Sequence, residues 1–330
     1  MKYRRFGTTD WEISEIGFGA WAIGGDMWGP QDDRKSLQAL HRALDLGVNF
    51  IDTAQGYGKG HSEELIGKVL QERKEEIYVA TKVPPLPGTK WPPPDDLDVL
   101  AAFPPDYIIS ACEESLRRLK REVLDVYQFH TWATAFNKRH EWFEAMQHLK
   151  KDGKIRAIGV SVPDMTPDNV IGSLINERVD AVQVIYNIFE QYPDWNLFSV
   201  CRHQNTAVIV RVPFDEGALT GKFTEETVFP AGDVRTRYFR GKNLDAVVRR
   251  VREIDTFRKE NLPQMSMPEL ALRFCLSNPA VSTVIPGIRS PEQAEINTAV
   301  SDGECLSDTI LEDMRRFAWR KDFWFHEIDE

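Results

Sequence analysis

Short apolar runs alternate with amphipathic stretches along nearly the whole chain, and that alternation sets the expected fold. Arg4–Phe6 and Glu12–Ile16 flank the turn Gly7-Thr8-Thr9-Asp10 and read as a hairpin ahead of the main pattern. The run Ile16-Gly17-Phe18-Gly19-Ala20-Trp21 then opens the first repeat, followed by a loop rich in Gly and Trp. A helix is predicted from about Asp32 to Leu46: Leu37, Leu40 and Leu44 share a face, Asp32 or Asp33 offers an N-cap, and Gly47 stands just past the end. The same order recurs down the chain. Strand Phe50–Asp52 precedes helix Ser62–Gln71, with Ser62 as N-cap. Strand Ile77–Thr81 leads through a proline-rich stretch, Pro84 to Pro105, to helix Asp106–Leu119. Strand Val123–Phe129 precedes helix Glu141–Lys151, strand Ile155–Val160 precedes helix Pro167–Asn176, and strand Ala181–Ile185 precedes helix Leu197–His203. Strand Ala207–Val212 leads through a long irregular loop to helices Asp245–Asn261 and Met267–Ser277. Strand Thr283–Ile285, helix Pro291–Val300 and a last helix, Ser307–Lys321, complete the pattern.

About eight strands, each followed by a helix, predict an α/β fold: a (β/α)8 TIM barrel with an N-terminal β-hairpin and an additional C-terminal helix. The expected organisation is a single domain over residues 1–330. The proline-rich stretch sits between the strand and helix of one unit, so it reads as a lid or binding loop rather than a linker. Composition agrees, with 42% hydrophobic and 28% charged residues in a chain long enough to bury its core without staples. The four cysteines form no CxxC pair, which fits a reducing compartment. No signal-like apolar run opens the chain and no stretch approaches the roughly 18 apolar residues of a membrane helix, so the expected location is cytoplasmic, without a membrane partner. A net charge of −10 argues against nucleic acid while leaving room for a small anion in a local basic pocket. His140 and His148 lack zinc spacing and there is no G-x-S-x-G elbow, so neither a metal nor hydrolysis is expected.

In a barrel of this kind the C-terminal strand ends face the active site. Here they deliver Asp52, Lys82 and His130, and Tyr57 follows Asp52 in a glycine-rich loop. A single strand-end charge is usually solvated or paired; four ionisable groups on one rim read as a site. A tyrosine of ordinary pKa near 10 is a poor acid at neutral pH. An adjacent ammonium lowers that pKa, a carboxylate holds the ammonium, and a histidine polarises the substrate oxygen. Tyr57 is therefore the expected acid, Lys82 its tuner, Asp52 the anchor and His130 the orienting group. Gly17-Phe18-Gly19-Ala20-Trp21-Ala22 matches the dinucleotide fingerprint G-x-G-x-x-A, but Gly24-Gly25, Trp28 and Pro30 prevent the helix that fingerprint must open, and the match is rejected.

The stretch Asn49–Gly58 and the positions Asp52, Tyr57, Lys82 and His130 resemble the strand-two segment and the Asp-Tyr-Lys-His tetrad of the aldo-keto reductases. The resemblance runs from Gly17 to Asn297. It implies an oxidoreductase that reduces aldehydes or ketones to alcohols, or the reverse, with NADP as cofactor, NAD as the alternative, and no Rossmann domain. It further implies that Gly19 and Trp21, with Trp28 as a further candidate, line the cofactor and substrate cleft. Gly153–Ser161 resembles the family's strand-five segment, so Ser161 and Gln183 would bond the nicotinamide carboxamide; Val162 stands where the family usually has Asn. Arg211–Lys222 resembles the strand-seven loop, with Arg211 in place of a stacking aromatic, Pro213 as a further cofactor contact, and Gly217, Leu219, Gly221 and Lys222 in the part running past the pyrophosphate. Ile285–Asn297 resembles the adenosine segment: Gly287 and Arg289 precede a helix where a phosphate could dock, Arg289 and Gln293 would face the ribose and its 2′-phosphate, and Asn297 the adenine; Ile296 stands where Glu is usual. Arg235, Arg237 and Arg240 are candidates to close over the cofactor, with some expected to be solvated loop charges. Substrate choice would rest on the 84–105 loop with Trp91, the Trp132 region and the C-terminal tail, whose cluster Phe323-Trp324-Phe325-His326 is expected to pack against the barrel. Two other readings stand beside this one: a cofactor-sensing or regulatory subunit of the same fold, like the β subunits of potassium channels, and an unrelated barrel enzyme using Lys82 as a Schiff base. The oligomeric state stays open.

Overall fold

The computed structural model describes residues 1–328. Strands β1 (Tyr3–Arg5) and β2 (Glu12–Ser14) pair antiparallel as the expected hairpin, with Tyr3 opposite Ser14. Eight parallel strands follow, neighbours in chain order: β3 (Phe18–Gly19), β4 (Phe50–Asp52), β5 (Tyr78–Val83), β6 (Leu124–Phe129), β7 (Ile155–Ser161), β8 (Ala181–Ile185), β9 (Ala207–Arg211) and β10 (Thr283–Val284). Bridges from Ile16 to Val284 and from Gly19 to Gly287 join the last strand to the first, closing the (β/α)8 barrel. The seam needs glycine, since a Cβ on Gly19 would lie 2.6 Å from the carbonyl oxygen of Ile285.

The helices are α1 (Asp33–Asp45), α2 (His61–Glu72), α3 (Val99–Ala102), α4 (Pro105–Leu119), α5 (Glu141–Lys151), α6 (Ile171–Ile175), α7 (Leu197–Gln204), α8 (Arg235–Tyr238), α9 (Asn243–Asn261), α10 (Met267–Leu276), α11 (Pro291–Thr298) and α12 (Asp308–Met314). The α1 helix packs against both α2 and α11, so the outer layer also closes on itself. No helix among the described residues is long and apolar enough to cross a membrane.

Alternate side chains of each barrel strand point inward. The lower layer carries Ala80, Ala157, Ala181 and Ala207, and the room they leave is filled by Phe6, Trp11, Phe50 and Tyr78. Phe6 and Trp11 flank the hairpin turn, so the hairpin plugs the barrel floor. One period further up the same strands come Asp52, Lys82, Gln128 and Gln183; Ser161 and Arg211 lie one period beyond Gly159 and Ile209.

Several elements differ from their sequence expectation. The 84–105 stretch contains the short α3, N-capped by Asp98. The helix expected over 167–176 is a 3-10 turn, Pro167–Val170, followed by α6. Ser62 is not an N-cap: α2 starts at His61 behind a left-handed Gly60 (φ 97°), and the Ser62 hydroxyl donates to the Ala20 carbonyl at 3.0 Å. The last helix ends at Met314 rather than Lys321. A 3-10 turn, Arg315–Phe317, follows, and the Trp319 N–H then donates to the Phe189 carbonyl at 2.8 Å, a tertiary bond that overrides the helical period.

Candidate active site

Inward alternation brings the four expected catalytic positions together. Lys82 is fully buried, and its Nζ donates to Asp52 Oδ2 at 2.7 Å, the Thr53 carbonyl at 2.8 Å and the Tyr57 hydroxyl at 3.2 Å. Three acceptors use the three protons of the ammonium. Asp52 Oδ1 accepts from Gln183 Nε2 at 2.6 Å and from Gln128 Nε2 at 3.3 Å. Gln128 belongs to no motif; the one signal for it is the inward period, two residues before His130. Gly159 makes room for it, because a Cβ there would lie 2.5 Å from Gln128 Cγ. The His130 ring stands edge-on to Tyr57 with centroids 5.6 Å apart and edge-on to Trp91 at 5.3 Å. Trp21 lies against Tyr57 at 6.1 Å. The Tyr57 loop is fixed by backbone-to-backbone packing: Gly58 takes φ 61°, and a Cβ on Gly24 would fall 2.8 Å from the Gly58 nitrogen.

Burial raises the Tyr57 pKa above its ordinary value; Lys82 pulls it down, Asp52 pushes it up and Arg211 pulls it down. Lys82 acts in the expected direction, lowering the Tyr57 pKa, but the net shift is upward. Burial outweighs the ammonium, and Asp52 offsets part of the ammonium's field. Tyr57 is thus a protonated phenol at neutral pH. For Lys82, burial works downward, but Asp52 and Tyr57 hold the ammonium above its ordinary value. Burial, then the Lys82 and Arg211 cations, hold His130 well below its ordinary value, so it is a neutral imidazole.

These groups stand at the base of a cleft of about 960 Å³. Its wall includes Gly19, Trp21, Trp28, Ser161, Gln183, Arg211, Pro213, Gly217, Lys222, Gly287, Arg289, Gln293 and Asn297. Leu219 and Gly221 do not reach it: Leu219 is fully buried in the core beneath its loop, and Gly221 is exposed elsewhere. Trp91 lines the cleft, whereas Trp132 is fully buried against Phe129, Phe136 and Trp142. Of the C-terminal aromatics, Phe323 packs inward on Trp319 and Tyr238, while Trp324 and Phe325 form part of the wall. Arg235 and Arg237 also line it; Arg240 instead donates to the carbonyls of Arg237 and Phe323.

The cleft is built for a polar ligand. Trp28 Nε1, Thr131 Oγ1 and Arg211 Nε are buried on its wall without a hydrogen-bond partner among the described residues. Arg211 Nη2 is fixed by the Val162 carbonyl at 3.0 Å and Asp164 at 2.7 Å. At the other end, Arg235 is gripped by Asp233 and Arg289 by Gln31 Oε1 at 2.8 Å. Burial and then the nearby Arg235 charge lower the Arg289 pKa, which marks a place where two guanidiniums crowd and an anion would relieve them. Gln293 Oε1 accepts from the Arg289 backbone N–H at 2.7 Å, so that oxygen is already engaged.

A model of the aldo/keto reductase family matches residues 15–317. The chain belongs to that family. This aldo-keto reductase is 32% identical over 325 residues to aldo-keto reductase YhdN of Bacillus subtilis (strain 168), across 94% of each chain. It is 30% identical to the NADH-specific methylglyoxal reductase of Escherichia coli (strain K12), across 96% of this chain and 98% of that one. The holo form of aldo-keto reductase AKR11C1 from Bacillus halodurans matches its fold with a TM-score of 0.76 at 26% identity, covering 98% of this chain and 99% of that one. The barrel and the site therefore stand in an oxidoreductase family.

Proposed function

We propose that this aldo-keto reductase converts aldehydes or ketones to alcohols, or the reverse, with Asp52, Tyr57, Lys82 and His130 as its catalytic groups. The observation that carries the reading is one buried ammonium, Lys82, touching both Asp52 and Tyr57 at the base of the cleft. A bound nicotinamide dinucleotide supplies or accepts the hydride. Tyr57 holds the proton that the forming alcohol oxygen needs, and burial keeps it in place at neutral pH. As the phenol gives that proton up, Lys82 at 3.2 Å stabilises the phenolate, and Asp52 keeps Lys82 in position. Neutral His130 donates to the carbonyl oxygen and orients it toward Tyr57. In the reverse direction Tyr57 receives the hydroxyl proton.

Our preferred cofactor is NADP(H), with NAD(H) as the alternative. Gly287, Arg289, Gln293 and Asn297 would hold the adenosine end, with Arg289 and Arg235 supplying charge for a 2′-phosphate. Gly217 and Lys222 would face the diphosphate. Arg211 and Pro213 would lie beside the nicotinamide, with Ser161 and the remaining Gln183 oxygen on its carboxamide and Gly19 and Trp21 at the mouth. The substrate in this reading is a small carbonyl compound or alcohol, shaped by Trp91, Trp324 and Phe325. The chain works as one domain in the cytoplasm, without nucleic acid or membrane.

Purified protein with NADPH or NADH and a panel of aldehydes tests this. Cofactor oxidation is expected, and Tyr57→Phe should slow it roughly 10²–10⁴-fold. Undiminished turnover in Tyr57→Phe would overturn the mechanism. Tight nucleotide binding with no turnover of any carbonyl would favour a regulatory subunit instead.

A further inference from the structure

Glu216 is a carboxyl that the reaction above does not use. It lies in the loop after β9, where Val212, Asp215 and Glu216 take φ of 55°, 48° and 53°. Residues with a Cβ adopt this conformation rarely. The loop is held in it by Asn187 donating to the Val212 carbonyl at 2.9 Å, Tyr238 donating to Asp215 at 3.1 Å, and Lys321 Nζ 2.7 Å from Asp215. Asp215 thereby joins the interior, while Glu216 lines the cleft. Glu216 is only 5% exposed, and its carboxyl, on the cleft wall, has no hydrogen bond or ion pair among the described residues. The surrounding charges are already committed: Arg211 to Val162 and Asp164, Arg235 to Asp233, and Lys321 to Asp215 with Glu190 at 3.6 Å. A nearly buried carboxyl without a protein partner has hydrogen-bonding capacity that a ligand in the cleft can take up.

Its place along the wall identifies the ligand group. On one side stands Arg211, whose charge reaches Tyr57 and His130 at the reacting end. On the other comes Gly217, the next residue along the chain, which with Lys222 also lines the cleft and would face the diphosphate. Between a nicotinamide and a diphosphate lies a ribose, whose diol both donates and accepts hydrogen bonds. We propose that Glu216 binds a hydroxyl of the nicotinamide-side ribose and so fixes that end of the cofactor independently of the adenosine end. This rests on the dinucleotide reading above. Burial, then Asp215 and Asp164, raise the Glu216 pKa to about 8 against the pull of Arg211 and Arg235. At neutral pH Glu216 is therefore mostly a neutral acid, able to donate and accept, and it does not repel a diphosphate.

The test is equilibrium binding of NADPH, NADH and 2′,5′-ADP to the full chain as wild type, Glu216→Gln and Glu216→Leu. If NADH is the tighter dinucleotide, 5′-AMP serves as the adenosine probe. Glu216→Leu should weaken the dinucleotide about tenfold, the size of one hydrogen bond, and leave the adenosine probe within about twofold. Glu216→Gln keeps a donor and an acceptor and should hold the dinucleotide within about threefold. A wild type that binds no dinucleotide defeats the parent reading. A wild type that binds, with Leu and Gln variants equal to it or tighter, defeats only the Glu216 proposal. Unliganded melting of both variants should match or exceed wild type; a Leu variant that melts lower and loses both ligands would make the role structural and overturn the proposal.

Discussion

Arg211 Nη2 donates to the carbonyl oxygen of Val162 at 3.0 Å, and the same nitrogen reaches Asp164 at 2.7 Å. Arg211 and Val162, two positions where the resemblance leads one to expect an aromatic and an asparagine, touch. The guanidinium is therefore fixed to the loop after β7 rather than free at the end of β9. Its charge joins that of Lys82 in opposing protonation of His130, behind the larger effect of burial, and it adds to Lys82's downward pull on Tyr57.

Removing that charge should move both groups upward. In Arg211→Met the acidic limb of the kcat/KM profile, where His130 gains a proton, shifts to higher pH. The alkaline limb, where Tyr57 loses its proton, shifts the same way. Arg211→Lys keeps the charge but loses the planar fork that serves Val162 and Asp164, so it should restore the limbs only in part. Both limbs unmoved in Arg211→Met would show that Arg211 acts by packing alone.

Lys82 and Asp52 are coupled through burial, at 0% and 2% exposure. Lys82→Met strands a carboxylate in the interior, so it should cost about 3–5 kcal/mol of stability as well as abolishing most activity. The double variant Asp52→Asn/Lys82→Met should recover much of that stability and none of the activity. Urea midpoints paired with turnover check this; a double variant no more stable than Lys82→Met would contradict the pairing.

The tetrad is legible in the sequence because each member stands at or just after the end of an apolar strand, and a barrel in chain order turns those ends to one rim. Gln128 is not legible in that way. Its partner Asp52 lies two strands away, and a glutamine inside an apolar run carries no motif. Gln183 is read from resemblance as a nicotinamide contact, yet its amide nitrogen reaches across the barrel interior to Asp52. The tail is misread as helix because its apolar spacing survives to Lys321, while the backbone is drawn off by Phe189 and the Lys321 ammonium by Asp215.

The Gly159–Gln128 contact gives a test of that hidden support. A Cβ on Gly159 would meet Gln128 Cγ at 2.5 Å, so Gly159→Ala should push the side chain off Asp52. The expected cost is about 1–3 kcal/mol with a fall in kcat, as for an overpacked core. Gln128→Ala removes the nearest obstruction and leaves Val126 Cγ1 at 3.1 Å, so Gly159→Ala should cost less in that background. A double-mutant cycle reads this directly, and strict additivity would rule out the proposed clash.

The buried carboxyls make stability fall as pH rises. Burial, then Asp215 and Asp164, lift Glu216 to about 8. Burial lifts Glu190 to about 7, with Lys321 opposing and Asp215 adding. An unfolded glutamate titrates near 4.3, so between that value and the folded one the folded chain binds more protons. The stability these groups confer is complete below about 4.3 and is lost as pH climbs through about 7 for Glu190 and about 8 for Glu216. Glu216→Gln cannot ionise. Without ligand it should match wild type near pH 5 and exceed it near pH 9 by on the order of 2–4 kcal/mol. Urea unfolding at the two pH values measures the difference. Glu190→Gln should show the same sign, with most of its gain reached by about pH 7. Wild type and Glu216→Gln falling in parallel across the range would mean that Glu216 is already ionised in the folded protein, with its charge met by Arg211 or Arg235.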